Sequence, residues 1–348
     1  MNIILPIAGK SSRFPNMRPK WMLTHPNGNF MLVESIKKII KEHDRVYIIY
    51  LKEHEEKYSF KKGLIENIQN VIGLTPTLIE LENTTKDQVE TVYLGLKQLP
   101  DIPFLIKDCD NVFSFDRKFN HEKNHVMYAS LKETKNSDPS SKSYIRLNKF
   151  DLITNIVEKE IISDEFCCGG YFFRSSKEFL NICDEWIKDK EWYISDVIFK
   201  MSLKGIDFSA IKCNEYIDWG TLKDWKNYKD KFKTIFVDLD GIVFYNSSAY
   251  LKPYIGNTRE IEDNIKILKE LVDTGFVELI ITTSRPERYR ITTEKQLKKA
   301  GIKYKQMIMG LQHNKRIIIN DFNSTNPYPT CQSINLKRDE GSLGDFLQ

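Results

Sequence analysis

At 348 residues with 41% apolar content, the chain can fill two hydrophobic cores rather than one. Its net charge of +4 is spread over 52 basic and 48 acidic side chains, which argues against a nucleic-acid-binding stripe and favours small anionic substrates. No apolar run reaches the roughly 18 residues of a membrane span, the N-terminus lacks a signal-peptide series, and six cysteines without a CxxC pair fit a reducing compartment, so a cytoplasmic protein with its cysteines in packing roles is expected.

In chain order, residues 3–7 read as a buried strand, 31–42 as an amphipathic helix and 45–51 as the next strand, a βαβ unit with a right-handed crossover. Further strands are expected at 77–81, 103–106, 125–131 and 170–173, with a helix at 88–98. Residues 135–142, rich in Ser, Asn, Asp and Pro, read as an exposed loop. A charged aromatic stretch over 223–232 closes this part, and a new central strand starts at 234, placing a boundary near 231. Beyond it, a helix at 260–274, a strand at 277–282, a helix at 293–300 and a strand at 316–319 again give βαβαβ. The expected fold class is α/β with two Rossmann-like domains, 1–231 with a mixed sheet and 232–348 with a smaller parallel sheet. Only about 40 residues separate Asp240 from Thr283 and the crossover uses many of them, so little or no cap fits there.

The first strand runs into Ala8-Gly9-Lys10-Ser11-Ser12-Arg13, where backbone N–H groups can face an anion, Gly9 allows close approach and Arg13 adds a charge-assisted fork. The spacing is not that of a P-loop ATPase. With Arg18-Pro19-Lys20-Trp21 following, this opening resembles the signature of the sugar-nucleotidyltransferases. Five later stretches are similar to that family in its own order: Lys107-Asp108-Cys109-Asp110-Asn111-Val112-Phe113, Val157-Glu158-Lys159, Cys168-Gly169-Gly170-Tyr171-Phe172, Tyr193-Ile-Ser-Asp196 and Tyr216-Ile217-Asp218-Trp219-Gly220-Thr221. The likeness is to glucose-1-phosphate thymidylyltransferases in particular and spans most of residues 1–230.

The resemblance implies roles. Ala8, Gly9, Lys10, Ser11 and Ser12 would cradle a triphosphate neutralised by Arg13 and Lys20, with Gln88 at the base and Asp108 beside the nucleotide. Asp110 and Asp218 would hold Mg²⁺, Lys159 would orient the attacking phosphate, and Glu158, Gly170 and Asp196 would line the acceptor. The chain departs from the family at Cys109 (usually Gly), at the added Asp108, at the missing Pro after Lys159 and at Trp219, which leaves sugar and base open. The chemistry suits these residue types: an acceptor phosphate attacks the α-phosphorus of a nucleoside triphosphate, the developing charge needs Mg²⁺ and cations, and the anionic nucleophile needs no general base.

Later in the chain, Ile235-Phe-Val-Asp238-Leu-Asp240-Gly241 ends a strand with two carboxylates that alternation points to one pocket. It resembles motif I of the haloacid-dehalogenase superfamily, followed by Leu279-Ile-Ile-Thr282-Thr283-Ser284-Arg285 and Ile317-Ile-Ile-Asn320-Asp321. The resemblance implies Asp238 as nucleophile and Asp240 as general acid and base. Thr283 would bind phosphate, Lys315 (with Lys298 and Lys299 as competitors) would be the motif lysine, and Asp238, Asp240 and Asp321 would be metal ligands. Ile242 and Asn320 depart from that pattern.

The expected whole is a bifunctional enzyme. Its first domain would transfer a nucleotidyl group, CTP or UTP being the favoured donors, to a sugar or polyol phosphate, and its second would hydrolyse a phosphomonoester, both with Mg²⁺, for a bacterial surface polysaccharide precursor. The expected partners are those small molecules, with no nucleic acid and no membrane span, and with homo-oligomers left open. Asp108-Cys109-Asp110 is also a DxD motif, so a metal-dependent glycosyltransferase remains an alternative, as does a nucleotide-binding scaffold with a degenerate second domain.

Overall fold

A computed structural model describes residues 1–9, 11, 13–134, 138–186, 191–321 and 330–347, which divide into two compact units, Met1–Asn227 and Tyr228–Gln348. In the first, the strands are β1 (Asn2–Pro6), β2 (Arg45–Leu51), β3 (Thr77–Leu81), β4 (Phe104–Lys107), β5 (Asn111–Phe115), β6 (Asn124–Ser130), β7 (Ser143–Leu147), β8 (Ile153–Glu158), β9 (Glu165–Phe173) and β10 (Phe208–Asp218). They form one mixed sheet in the order β3-β2-β1-β4-β9-β6-β10-β5, with the β7–β8 hairpin attached through β9. The quartet β3-β2-β1-β4 is parallel, and β9 runs antiparallel to both β4 and β6.

Both faces of this sheet are covered. Ile4, Tyr47, Ile49 and Leu51 point into one core while Ile3, Leu5, Val46, Ile48 and Tyr50 point into the other, the period of two that a pleated strand imposes. Burial on both sides explains why these strands read as unbroken apolar runs. The helix Gln88–Leu96 closes the first core with Val89, Val92 and Leu96, and the helix Lys61–Ile72 closes the second with Leu64 and Ile68. The helix expected over 31–42 ends five residues early, at Met31–Lys37. Asp44 explains this: it accepts from the Lys41 backbone at 2.8 Å and pairs with Arg117 and the Met1 ammonium, drawing the chain into β2.

The second unit has a parallel sheet in the order β11 (Lys233–Asp238), β12 (Val277–Thr282), β13 (Gln306–Ile308), with the helices Glu262–Asp273 and Arg290–Ala300 as crossovers. Its core gathers Val237, Leu239, Leu268, Leu279, Ile281 and Leu297. The order βαβαβ is present, but its third strand is not 316–319. The helix Arg290–Ala300 stops at Gly301, whose φ of 72° turns the chain directly into β13, so the free edge of β12 is taken before residue 316 is reached. Residues 316–319 are irregular, with Ile317 74% and Ile319 92% exposed. Among the described residues no helix is long and apolar enough to cross a membrane. Five cysteines are buried, whereas Cys331 is exposed and has no packing role.

Candidate functional site

In the first unit the strand order reverses between β1 and β4, and the crevice at their carboxyl ends is where open parallel sheets bind ligands. After β1, Ala8 is buried and Gly9 is exposed, with nothing within 4 Å of where a Cβ would stand. Ser11 takes a left-handed φ of 50°, and its Oγ accepts from the Lys20 backbone at 3.0 Å, folding the loop back on the buried Trp21 and Met22. Lys10 and Ser12 lie outside the described residues. Arg13 is exposed.

Two distant carboxylates meet here because of strand register. Asn111, the first residue of β5, is the cross-strand partner of Asp218, the last residue of β10, and Trp219 N donates to Asp110 O at 2.8 Å. A Cβ placed on Gly220 would lie 3.1 Å from Asp218 Oδ1, 3.4 Å from Asp110 Oδ2 and 3.8 Å from Arg13 Nη1, so all three groups face one point. Each carboxylate holds a lysine: Lys20 pairs with Asp110, and Lys142 with Asp218. Burial pushes the Asp110 carboxyl up, but Lys20 more than reverses this and brings it down to about 2. For Asp218 burial prevails and its carboxyl is raised despite Lys142. Among the described residues no group of three or more His, Cys, Asp or Glu side chains is placed to hold a metal ion by itself. Two convergent carboxylates still fit Mg²⁺, which is commonly held by one or two carboxylates with substrate phosphates and waters completing its shell.

The turn carrying Asp110 is braced from inside by Lys107, a residue with no assigned role in the sequence patterns. Its side chain is fully buried, and its Nζ donates to Asp108 O at 2.5 Å, Asn111 O at 2.9 Å and Asn111 Oδ1 at 2.6 Å. Burial lowers its pKa to about 8, against the pull of Asp108 and Asp110. Gln88 opens its helix and donates from Nε2 to Asp108 Oδ1 at 2.5 Å, so these two expected nucleotide-site residues are joined to each other.

The expected acceptor residues are placed differently from one another. Lys159 stands at the hairpin end with a left-handed φ of 57°, its Nζ donating to Tyr193 OH at 2.5 Å and lying 4.4 Å from that ring's centre. Glu158 Oε2 is engaged by the hydroxyls of Ser143 and Ser195. Asp196 Oδ2 accepts from Tyr193 N at 3.0 Å, so it caps the helix Ile194–Leu203 rather than facing open space. Gly170 is buried in β9, where an added Cβ would stand 2.7 Å from the Phe113 ring. Its missing side chain makes room for that ring.

In the second unit, Asp238 and Asp240 stand at and just beyond the carboxyl end of β11, and Thr283 just past β12. Burial raises the Asp238 carboxyl, which is paired at 3.1 Å with Arg316. Asp240 is gripped by the Arg285 guanidinium, Nε to Oδ2 at 2.8 Å and Nη2 to Oδ1 at 2.7 Å, and also accepts from Ser247 Oγ at 2.7 Å and, at 3.4 Å, from Thr283 Oγ1. Arg285 is itself buried and held by Gln296 and Thr293. Lys315 and Asp321 lie in the exposed irregular stretch, and Asp321 joins no metal-ligating cluster with Asp238 and Asp240 among the described residues. The placement expected for them depended on a strand at 316–319, which does not form.

Sequence reasoning missed Lys107, Lys142 and Arg285. Arg285 had a usable signal, a cation two residues past Thr283 on the same strand end; the two lysines had none among so many surface lysines.

No protein-family model matches the chain, and no curated protein matches it. Among solved structures, a nucleoside-diphosphate-sugar pyrophosphorylase from Vibrio cholerae RC9 is 19% identical with a TM-score of 0.55, over 65% of this chain and 98% of its own. The inositol-1-phosphate CTP transferase from T. maritima is 14% identical with a TM-score of 0.52, over 64% of this chain and 90% of its own. A UDP-glucose pyrophosphorylase complexed with UDP-glucose is 17% identical with a TM-score of 0.51, over 66% and 98%. The likeness lies in the N-terminal part and is one of fold, a Rossmann-like mixed sheet.

Proposed function

We propose that the first unit transfers a nucleotidyl group from a nucleoside triphosphate to a sugar or polyol phosphate and releases pyrophosphate. The carrying observation is the convergence of Asp110, Asp218 and Arg13 on one point at the switch of the parallel sheet, with a lysine on each carboxylate. Asp110 and Asp218 would hold Mg²⁺, which when bound stabilises charge on the phosphoryl oxygens. Arg13 and Lys20 draw the triphosphate into the loop after β1, and Lys159 with Tyr193 positions the acceptor's anionic phosphate for attack. Fold likeness to an inositol-1-phosphate CTP transferase supports CTP as donor and a polyol phosphate as acceptor, with UTP as the other pyrimidine choice. Supply of a surface-polysaccharide precursor would be the use of such a product.

The test follows pyrophosphate with each of four triphosphates against a panel of sugar and polyol phosphates, with Mg²⁺ present. Asp110→Asn should lower the rate at least 100-fold, the scale of losing one electrostatic anchor of the transition state; pyrophosphate release that persists in this variant would remove the proposal. A transfer reaction that consumes a nucleotide sugar without pyrophosphate would favour a glycosyltransferase instead.

The second unit supports phosphomonoester hydrolysis through Asp238, on the grounds that Asp238, Asp240 and Thr283 share the carboxyl end of one parallel sheet. The Arg285 grip must loosen for Asp240 to move a proton. Phosphate release from a sugar or polyol bisphosphate that is abolished in Asp238→Asn supports this reading; a second unit inert towards all such esters would leave it a binding module.

A further inference from the structure

We propose that Lys142 is a substrate-binding cation that exchanges partners, giving up Asp218 to Mg²⁺ and taking the phosphate of the acceptor in return. This deepens the nucleotidyltransferase reading and rests on it.

Lys142 immediately precedes β7, where the β7–β8 register pairs Ser143 with Glu158 and where Lys159 N donates to Lys142 O at 2.9 Å. One hairpin end therefore presents both Lys142 and Lys159. Their ammonium groups are parked differently. That of Lys159 rests on exposed Tyr193. That of Lys142 is closed in: the side chain is 10% exposed, its Nζ is paired with Asp218, itself 7% exposed, and donates to Tyr216 OH at 3.0 Å. A desolvated ammonium stripped of its carboxylate is strongly disfavoured unless another anion arrives. Asp218 turns Oδ1 to the point that Asp110 and Arg13 also face and Oδ2 to Lys142, so a divalent cation bound there repels the Lys142 ammonium across a shared carboxylate and draws that carboxylate's charge away from it. The ion that occupies Asp218 leaves Lys142 with an unmet charge beside Lys159, and a phosphomonoester dianion meets it. The consequence is thermodynamic coupling: metal binding alone is disfavoured, because the ion weakens a buried ion pair that shares its carboxylate, and the acceptor phosphate restores the affinity. No bond to phosphorus is made or broken in this step.

Titration calorimetry on the full chain tests this with Mg²⁺ as the titrant. In the native protein, saturating inorganic phosphate should raise Mg²⁺ affinity about fivefold or more, within the usual range of coupling between sites. In Lys142→Met, Mg²⁺ alone should bind about tenfold tighter and phosphate should no longer change it, while Lys142→Arg should keep the coupling. Lys142→Gln, which retains a polar group for Tyr216, gives the same readout if the methionine variant does not fold. Unchanged Mg²⁺ affinity in the neutral variants, or phosphate coupling that survives them, overturns the proposal. Coupling to pyrophosphate but not to phosphate overturns the acceptor assignment and gives Lys142 to the triphosphate. Failure of the transferase reading is separate, since it would appear as absent pyrophosphate release in the native protein whatever the Mg²⁺ isotherms show.

Discussion

Asp108 adds a second carboxylate two residues before Asp110, in a cluster that also holds Lys20 and Lys107. Burial first and Asp110 second push its carboxyl up to about 6 from an ordinary 3.8. Its folded pKa lies above its unfolded one, so its contribution is favourable below about pH 4 and is lost as pH rises towards 6. Above that, the ionised group weighs against the fold. Asp108→Asn keeps an acceptor for Gln88 and removes the charge, so in EDTA it should be more stable than the native chain at pH 8 by about 1–2 kcal/mol, from about two pKa units discounted for partial exposure. The difference should vanish near pH 3.5. Urea denaturation at the two pH values measures it, and a gap that does not grow with pH would contradict the sign.

At the scale of elements, β9 packs against the turn that carries both acids. Gly169 has φ of 77°, and a Cβ there would stand 2.3 Å from Asp108 Oδ2 and 2.7 Å from Asn111 Nδ2. Gly169→Ala therefore combines a left-handed backbone with a clash and should cost about 2–3 kcal/mol together with at least tenfold in turnover. Gly205 has φ of 78° and no neighbour within 4 Å, so Gly205→Ala carries the backbone cost alone, about 1 kcal/mol, and should leave turnover intact. Thermal unfolding and rate, measured on both, separate strain from crowding. The strand-to-turn stretches after β1, β4 and β11 were legible because their chemistry and conformation are local. The 316–319 stretch was not: three isoleucines in succession carry no period, and the turn at Gly301 that delivers β13 to β12 is what makes another stretch the third strand. Lys142 was read as part of an exposed loop because its burial comes from β10, some seventy residues later, which no local pattern encodes. The hydroxyls of Ser143 and Ser195 on Glu158, and the cap that Asp196 gives to Tyr193 N, are pairings that the resemblance did not specify.

For the molecule as a whole, each unit closes its own core, so calorimetry should resolve two unfolding transitions rather than one. A triphosphate with Mg²⁺ should raise only one of them, by linkage to the state that binds. One transition that shifts as a single event would contradict this. Of the six thiols, Cys109, Cys167, Cys168, Cys183 and Cys213 are buried, and burial pushes the first four well above the ordinary thiol range. Cys331 alone is exposed. A maleimide dye added to the native polypeptide under mild conditions would therefore attach at one position, in the C-terminal unit, giving a site-specific fluorescent reporter without any engineered residue.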